Sequence, residues 1–173
     1  MNKLSGVIIR RATMSDLNTL VSFNAALARE TENRTLDVRV LQSGVEALLQ
    51  DPGKGWYSVA EKSFDGGPLM VVGQILVTFE WSDWRNGNFW WLQSLYVHPD
   101  HRKQGIFRKL YNYVEAQAHL NSEGICGFRL YVEENNQEAH QAYANFRFQK
   151  TAYHMYEKEF LWTQPSSTTQ SLP

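Results

Sequence analysis

Apolar side chains alternate with others over residues 91–97, whereas Ile106, Leu110, Val114 and Ala118 recur every fourth residue, so the hydrophobic period changes from that of a strand to that of a helix face. The change falls on a proline, Pro99, and a basic turn ending in Gly105. The same reading over the rest of the chain predicts a first strand around Val7, Ile8 and Ile9 and a helix beginning after Thr13, capped by Ser15 or a neighbour, with Leu17, Leu20, Val21, Asn24, Ala25 and Ala28 on one face. A polar break, RETENRTLD, separates it from a second helix over residues 38–49, which Asp37 is placed to cap. Residues 56–60 alternate as a strand, Phe64, Asp65, Gly66 and Gly67 mark a hairpin turn, and residues 69–81 are rich enough in Val, Ile, Phe and Thr for a long strand. The chain returns over 89–97 after the Asn86-Gly87 turn pair. Past the basic loop, a helix over 105–120 leads to a strand over 126–132, about the length a crossover between parallel neighbours needs. A short helix over 136–145 and one or two closing strands over 146–156 complete the pattern. Strand, two helices, three strands, helix, strand, helix, strand is the order of an α+β or α/β domain with a mixed sheet.

Composition narrows the function classes. The chain has 173 residues, enough for one domain with a substantial core, and its formal charge of -1 gives no global argument for nucleic acid or an anionic membrane surface. A lone cysteine, Cys126, excludes an intramolecular disulfide. The opening MNKLSGVIIRRAT lacks the apolar core of a secretory signal and no apolar run approaches the length of a membrane helix, so the expectation is a cytoplasmic protein in which the Asn33-Arg34-Thr35 triplet is a chance match. Aromatic residues gather between Trp56 and Tyr156, the signature of core or interface. The stretch after Trp162, QPSSTTQSLP, has too little apolar content to offset the entropy of ordering. The expected division is a single domain over 1–160 with a polar tail over 161–173.

The basic turn carries the first candidate chemistry. Arg102, Lys103, Gln104 and Gly105 bring positive charge and flexible backbone to a helix N-terminus, where unpaired N–H groups and the helix dipole favour an anion. Two basic residues alone would more often be a solvated turn. A metal is not expected, because His98 and His101 have no further ligands at a recognised spacing.

Two motifs in this order give the loop a more specific meaning. Arg102-Lys103-Gln104-Gly105-Ile106-Phe107, after Leu95-Tyr96-Val97-His98-Pro99, resembles the phosphate-loop pattern Q/R-x-x-G-x-G/A of the GNAT superfamily of acetyl-CoA-dependent N-acetyltransferases, with Phe107 in place of the usual small residue. Residues 136–148, beginning Asn136-Gln137-Glu138-Ala139 and including Tyr143 and Phe148, are similar to that family's N-x-x-A-x-x-x-Y-x-x-x-G-F, with Arg147 in place of glycine, so that the turn after this helix is expected to differ in backbone conformation. The resemblance spans nearly all of residues 7–160.

The resemblance implies an α+β fold layered α/β/α, with a mixed, mostly antiparallel sheet of six to seven strands and a splayed parallel pair. It implies transfer of acetyl from acetyl-CoA to a primary amine by direct attack in a ternary complex, without a metal. Main-chain groups of Leu95, Tyr96 and Val97 would hold pantetheine and polarise the acetyl carbonyl, where one backbone donor is worth roughly 3 kcal/mol. Lys103, Gln104, Gly105, Ile106, Phe107 and Arg108, with Arg102, would seat the pyrophosphate; Asn136 would touch the cofactor and Tyr143 would protonate or hydrogen-bond the departing thiolate. Only about one lysine-like amine in a thousand is neutral near pH 7.4, so a base is wanted. Some relatives keep a carboxylate on the strand before the loop, but here Gln93 stands in that stretch. Glu80 is the first substitute, with Glu30, Glu32, His98 or a water chain behind it, although charged side chains in such places are more often simply solvated. Trp81, Trp84, Trp90 and Trp91 are read as core or interface before acceptor pocket. A homodimer is common in such a family and suits the aromatic surface. The rival function is a non-catalytic acyl-CoA-binding regulatory domain; a phosphate-loop nucleotide enzyme lacks its G-x-x-x-x-G-K-[ST].

Overall fold

The computed structural model describes residues 6–63, 67–121 and 124–158. Most of the expected turn at 64–67 and the whole of the tail over 161–173 lie outside the described residues. The chain divides into two compact units, Met1–Glu133 and Glu134–Pro173.

The first unit is built on a five-stranded sheet in sequence order: β1 (Ile8–Arg11), β2 (Trp56–Ser63), β3 (Leu69–Ser82), β4 (Gly87–Val97) and β5 (Ile125–Leu130). The first four pair antiparallel, and β4 with β5 parallel. Between the strands run α1 (Leu17–Glu32), α2 (Val38–Gln50) and α3 (Ile106–Leu120). The period-2 pattern sets two faces. Tyr57, Val59 and Leu76 meet Leu20, Val21 and Val45 of α1 and α2 on one face. On the other, the fourth-residue stripe of α3 places Ile106, Leu110 and Val114 in the core, at 1%, 0% and 0% exposure. Each such side chain contributes about 1.5–3 kcal/mol relative to an exposed one.

The caps explain where the helices begin. A single 3-10 turn over Met14–Asp16 precedes α1, with the Asp16 carboxylate accepting from the Thr13 N–H at 2.8 Å. Arg10 of β1 donates to both Asp16 oxygens, at 2.8 and 2.9 Å, and to Glu61 of β2 at 2.6 Å, which fixes the start of α1 against the sheet edge. Asp37 caps α2 as expected, accepting from the Arg39 N–H at 2.8 Å. The polar break is shorter than the sequence suggests: α1 continues to Glu32, and Asn33 ends it in the left-handed region at φ 51°.

In the second unit, α4 (Gln137–Asn145) is capped by Asn136, whose Oδ1 accepts from the Ala139 N–H at 3.0 Å. The closing strands expected over 146–156 are absent, so the sheet of the described residues has five strands rather than six or seven. The apolar residues that suggested them are used otherwise. Phe146 is the C-cap of α4, and the Phe148 N–H bonds back to the Tyr143 carbonyl at 3.1 Å while the Arg147 N–H bonds to Ala144 at 2.9 Å, a Schellman ending. The Tyr143 and Phe148 rings close it with their centroids 5.8 Å apart. Arg147 sits at φ 64°, the conformation glycine favours, so the turn keeps its left-handed residue despite the substitution that the sequence flags. Beyond it, Tyr153, Met155 and Tyr156 are exposed and have no buried face to give a strand.

Candidate active site

The strand before the basic loop is irregular where it matters. β4 pairs regularly with β3 from Gly87 to Gln93, opposite Leu76, but the next paired residues are Tyr96 and Gln74. Ser94 and Leu95 therefore oppose Ile75 alone, a β-bulge, and Ser94 adopts φ 45°. Inserting one residue reverses which side chains face α1. Before the bulge Gln93 does so, donating to Thr78 Oγ1 at 2.6 Å; after it Tyr96 does so, its ring centroid 5.0 Å from that of Phe23 of α1. The ladder between β4 and β5 ends at Leu92 and Leu130, leaving residues 93–97 paired with β3 only. This is the splay of the parallel pair, and it opens beside the bulge.

The loop follows at once. Pro99–His101 makes one 3-10 turn, Lys103 and Gly105 take φ 60° and 76°, and α3 begins at Ile106 without a side-chain cap. An α-helix leaves its first N–H groups without intrahelical partners, so the backbone of Gly105 and Ile106 presents donors at the positive end of the α3 dipole. Gln104 accepts from Lys62 Nζ at 2.8 Å and donates to the Asp100 carbonyl at 3.1 Å, bracing the loop from both sides.

Arg102 turns back toward the strand end. Its Nε donates to the Val97 carbonyl at 2.9 Å and its Nη2 to Glu30 Oε2 at 2.6 Å, while Glu30 Oε1 accepts from the Tyr96 hydroxyl at 3.0 Å. Partial burial would raise the Glu30 carboxyl, but hydrogen bonds from Arg102 and Tyr96 outweigh it and hold the group below its ordinary range. Burial, then the Glu30 carboxylate, pushes the Tyr96 phenol up. Glu32 is exposed at the end of the same helix, and His98 lies against Phe23 and His101, at 6.4 and 5.7 Å between ring centroids.

Glu80 belongs to a second group on the same face of the sheet. Its carboxylate accepts from Trp91 Nε1 and from Arg129 Nη1 of β5, the latter at 2.6 Å, and the Arg129 guanidinium lies over the Phe89 ring at 3.8 Å. Partial burial would raise this carboxyl too, yet the Arg129 and Trp91 bonds leave it below its ordinary value. Tyr131 packs on Trp91 with ring centroids 4.4 Å apart. From Trp91 to Leu95 is four residues, about 13 Å along a strand. The tryptophans thus divide: Trp90 is buried among Trp56, Phe79 and Phe128, Trp81 and Trp84 are exposed, and Trp91 joins the polar group.

A cavity of about 600 Å³, lined by Arg11, Trp56, Phe79, Asn88, Trp90 and Asn121 among others, lies at the opposite end of β4 and includes no residue of the basic loop between β4 and α3. Among the described residues no group of three His, Cys, Asp or Glu side chains is placed to hold a metal, and no helix is long and apolar enough to cross a membrane. In the second unit, burial pushes the Tyr143 phenol up. Within the first unit, the structure brings Leu95, Tyr96, Val97 and Arg102 together with Glu30, and sets Glu80 on β3, opposite Phe89 of β4 and farther from the loop. Sequence reasoning assigned no role to Ser94, Asn24 or Gln74; the available signals were Gln74, the single amide in the apolar run from Leu69 to Val77, and Asn24, the one polar residue on the apolar face of the first helix.

Comparisons with known proteins agree with this geometry. A family model described as the acetyltransferase (GNAT) family matches residues 23–148. A solved structure of a possible acetyltransferase from Clostridium difficile 630 is 47% identical, covering 90% of this chain and 99% of its own, at a TM-score of 0.80. At 20% and 14% identity, the ribosomal-protein-alanine N-acetyltransferase of Brucella melitensis biovar Abortus 2308 and an aminoglycoside N-acetyltransferase in complex with CoA share the fold, with TM-scores of 0.67 and 0.70; they cover 90% and 92% of this chain, and 99% and 98% of their own. No curated protein matches the chain. With that family model covering residues 23–148 and a possible acetyltransferase 47% identical over nearly its whole length, this chain belongs to the GNAT acetyltransferase family.

Proposed function

We propose that the protein transfers an acetyl group from acetyl-CoA to a primary amine by direct attack within a ternary complex. The observation that carries this reading is the β4 bulge at Ser94 and Leu95, where the parallel ladder ends one turn of chain before a phosphate-type loop. The N–H groups at the head of α3 suit the pyrophosphate, and residues 93–97, unpaired on their β5 side, suit an extended pantetheine. At the bulge, the Leu95 N–H serves as the donor to the oxyanion that forms when the amine attacks the thioester. Arg102 contributes by fixing the strand end through the Val97 carbonyl and by adding positive charge beside the loop. The motif match assigns Asn136 to the cofactor and Tyr143 to the departing sulfur, where a phenol whose pKa is raised by burial stays protonated and able to donate.

Among the described residues the proton lost by the amine has no nearby strong base. Glu80 is held ionised by Arg129, which makes it a weak proton acceptor but a good electrostatic partner for an incoming ammonium. In this reading Glu80 draws the ammonium onto the α1 face, and the amine's proton leaves to solvent through water past Gln93 and Thr78. The engagement of Glu80 also favours a second reading, a regulatory domain that binds acyl-CoA without turnover. A thiol-release screen with acetyl-CoA against polyamines, amino acids, aminoglycosides and peptide N-termini or lysines separates the two. Release that falls in Tyr143→Phe supports transfer; acetyl-CoA binding without release from any amine, unchanged by Tyr143→Phe, supports the binding domain.

A further inference from the structure

Between Leu69 and Val77 the interior strand β3 carries one amide, Gln74, and that side chain is entirely buried. A buried amide is tolerated when its hydrogen bonds are made. Gln74 Nε2 donates to the main-chain carbonyl of Ser94 and to Asn24 Oδ1, both at 3.2 Å. Asn24, itself buried, is fixed in turn, since its Nδ2 donates to the Leu20 carbonyl and the Tyr57 hydroxyl, each at 3.0 Å. Yet Gln74 Oε1 has no partner among the described residues, so the side chain is not the choice that core stability alone would favour. What the amide does hold is the one strained residue of β4: Ser94, a non-glycine at φ 45° whose carbonyl leaves the regular ladder.

We propose that Gln74, braced by Asn24, is a positioning residue that pins the Ser94 carbonyl and thereby aims the Leu95 N–H at the acetyl carbonyl of the bound thioester. The peptide bond is planar and trans, so the N–H of Leu95 points opposite to the carbonyl that Gln74 holds. Turning that carbonyl by a few tens of degrees turns the donor equally, and an oxyanion donor loses its effect when misaligned. The proposal rests on the acetyl-transfer reading, and its test separates the two.

Gln74→Met keeps the volume and removes the donor; Asn24→Ala leaves Gln74 in place without its brace. With an amine identified by the thiol-release screen, Gln74→Met is expected to lower kcat at least tenfold while the Kd for CoA stays within threefold and melting stays cooperative, and Asn24→Ala to give a smaller loss in the same direction. In the chain without cofactor, the NMR resonances of the Ser94 carbonyl carbon and the Leu95 amide are expected to shift in Gln74→Met while those of the α3 stripe do not. A kcat within threefold of the unaltered chain, a loss shared equally by kcat and CoA affinity, or unmoved Ser94 and Leu95 resonances overturns the proposal. Should Gln74→Met not fold, Asn24→Ala carries the same comparisons. If the unaltered chain acetylates no amine, the acetyltransferase reading fails, and the resonances alone decide whether Gln74 sets the bulge.

Discussion

Gly73 of β3 lies close against both the strand end and the head of α3, and adding one methyl group there tests how tightly the donor site is built. A Cβ on Gly73 would lie 3.0 Å from the Tyr96 carbonyl oxygen, 3.3 Å from Ile106 Cγ2 and 3.4 Å from Val97 Cγ2. The nearest of these is backbone and cannot rotate aside, and Ile106 is buried at the first turn of α3. Gly73→Ala therefore pushes β4 and α3 away from β3 by a few tenths of an ångström. Overpacking of this kind costs about 1–3 kcal/mol, of which the reduced freedom of the unfolded chain returns roughly 0.4–1. The net expectation is a loss of about 1–2 kcal/mol, read as a fall in Tm of roughly 2–8 °C for a chain of this size. Because the displaced groups are those proposed to hold CoA, its Kd, measured by calorimetry, should rise as well. Gly44→Ala is the matched control: Gly44 lies inside α2 with nothing within 4 Å of its Cβ position, so the same change there should stabilise by about 0.5–1 kcal/mol and leave CoA binding alone. A Gly73→Ala protein with unaltered Tm and unaltered CoA affinity would refute the close-approach argument.

Other consequences are as specific. Glu80→Gln should lower stability by at most about 1 kcal/mol at pH 7, since its pair with Arg129 is partly exposed. The sign is fixed by the depressed carboxyl pKa: the contribution is present above the ordinary carboxylate value and lost as pH falls through the lower folded one, so urea midpoints of the two proteins should converge below about pH 4. Arg102→Ala removes the bond to Val97 and the charge beside the loop and should raise the Kd for CoA severalfold with little change in that for the amine; an unchanged CoA affinity would remove Arg102 from the donor site. Arg147→Gly, which keeps the left-handed turn without its strain, should slow amide exchange in α4, and faster exchange would contradict the Schellman assignment.

How much of this is legible in the sequence depends on whether a local signal exists. The loop is legible because the hydrophobic period changes there, and the buried stripe Ile106, Leu110 and Val114 bears that out. The parallel relation of β4 and β5 follows from the helix between them. The bulge is not legible: the alternation read over residues 91–97 is imperfect, since the adjacent polar residues Gln93 and Ser94 are flanked by apolar ones on both sides, so inserting one residue there leaves no visible break while reversing the side chains. Phe146 and Phe148 alternate as strand residues do and so suggest extra strands, although both belong to the ending of α4. Glu30 sits in what reads as a polar loop, and nothing local shows that α1 runs on far enough to present it to Tyr96 and Arg102. Long-range pairings of this kind, like Glu80 with Arg129, leave no periodic trace.

Initial-rate kinetics with acetyl-CoA and the best amine of the screen, following thiol release and acetylated product together, test the central claim most directly. The account predicts one acetylated amine per thiol released and reciprocal plots that intersect, as direct attack in a ternary complex requires. Acetyl-CoA that binds without any amine releasing its thiol, or parallel plots that signal a covalent acyl-enzyme, would contradict it.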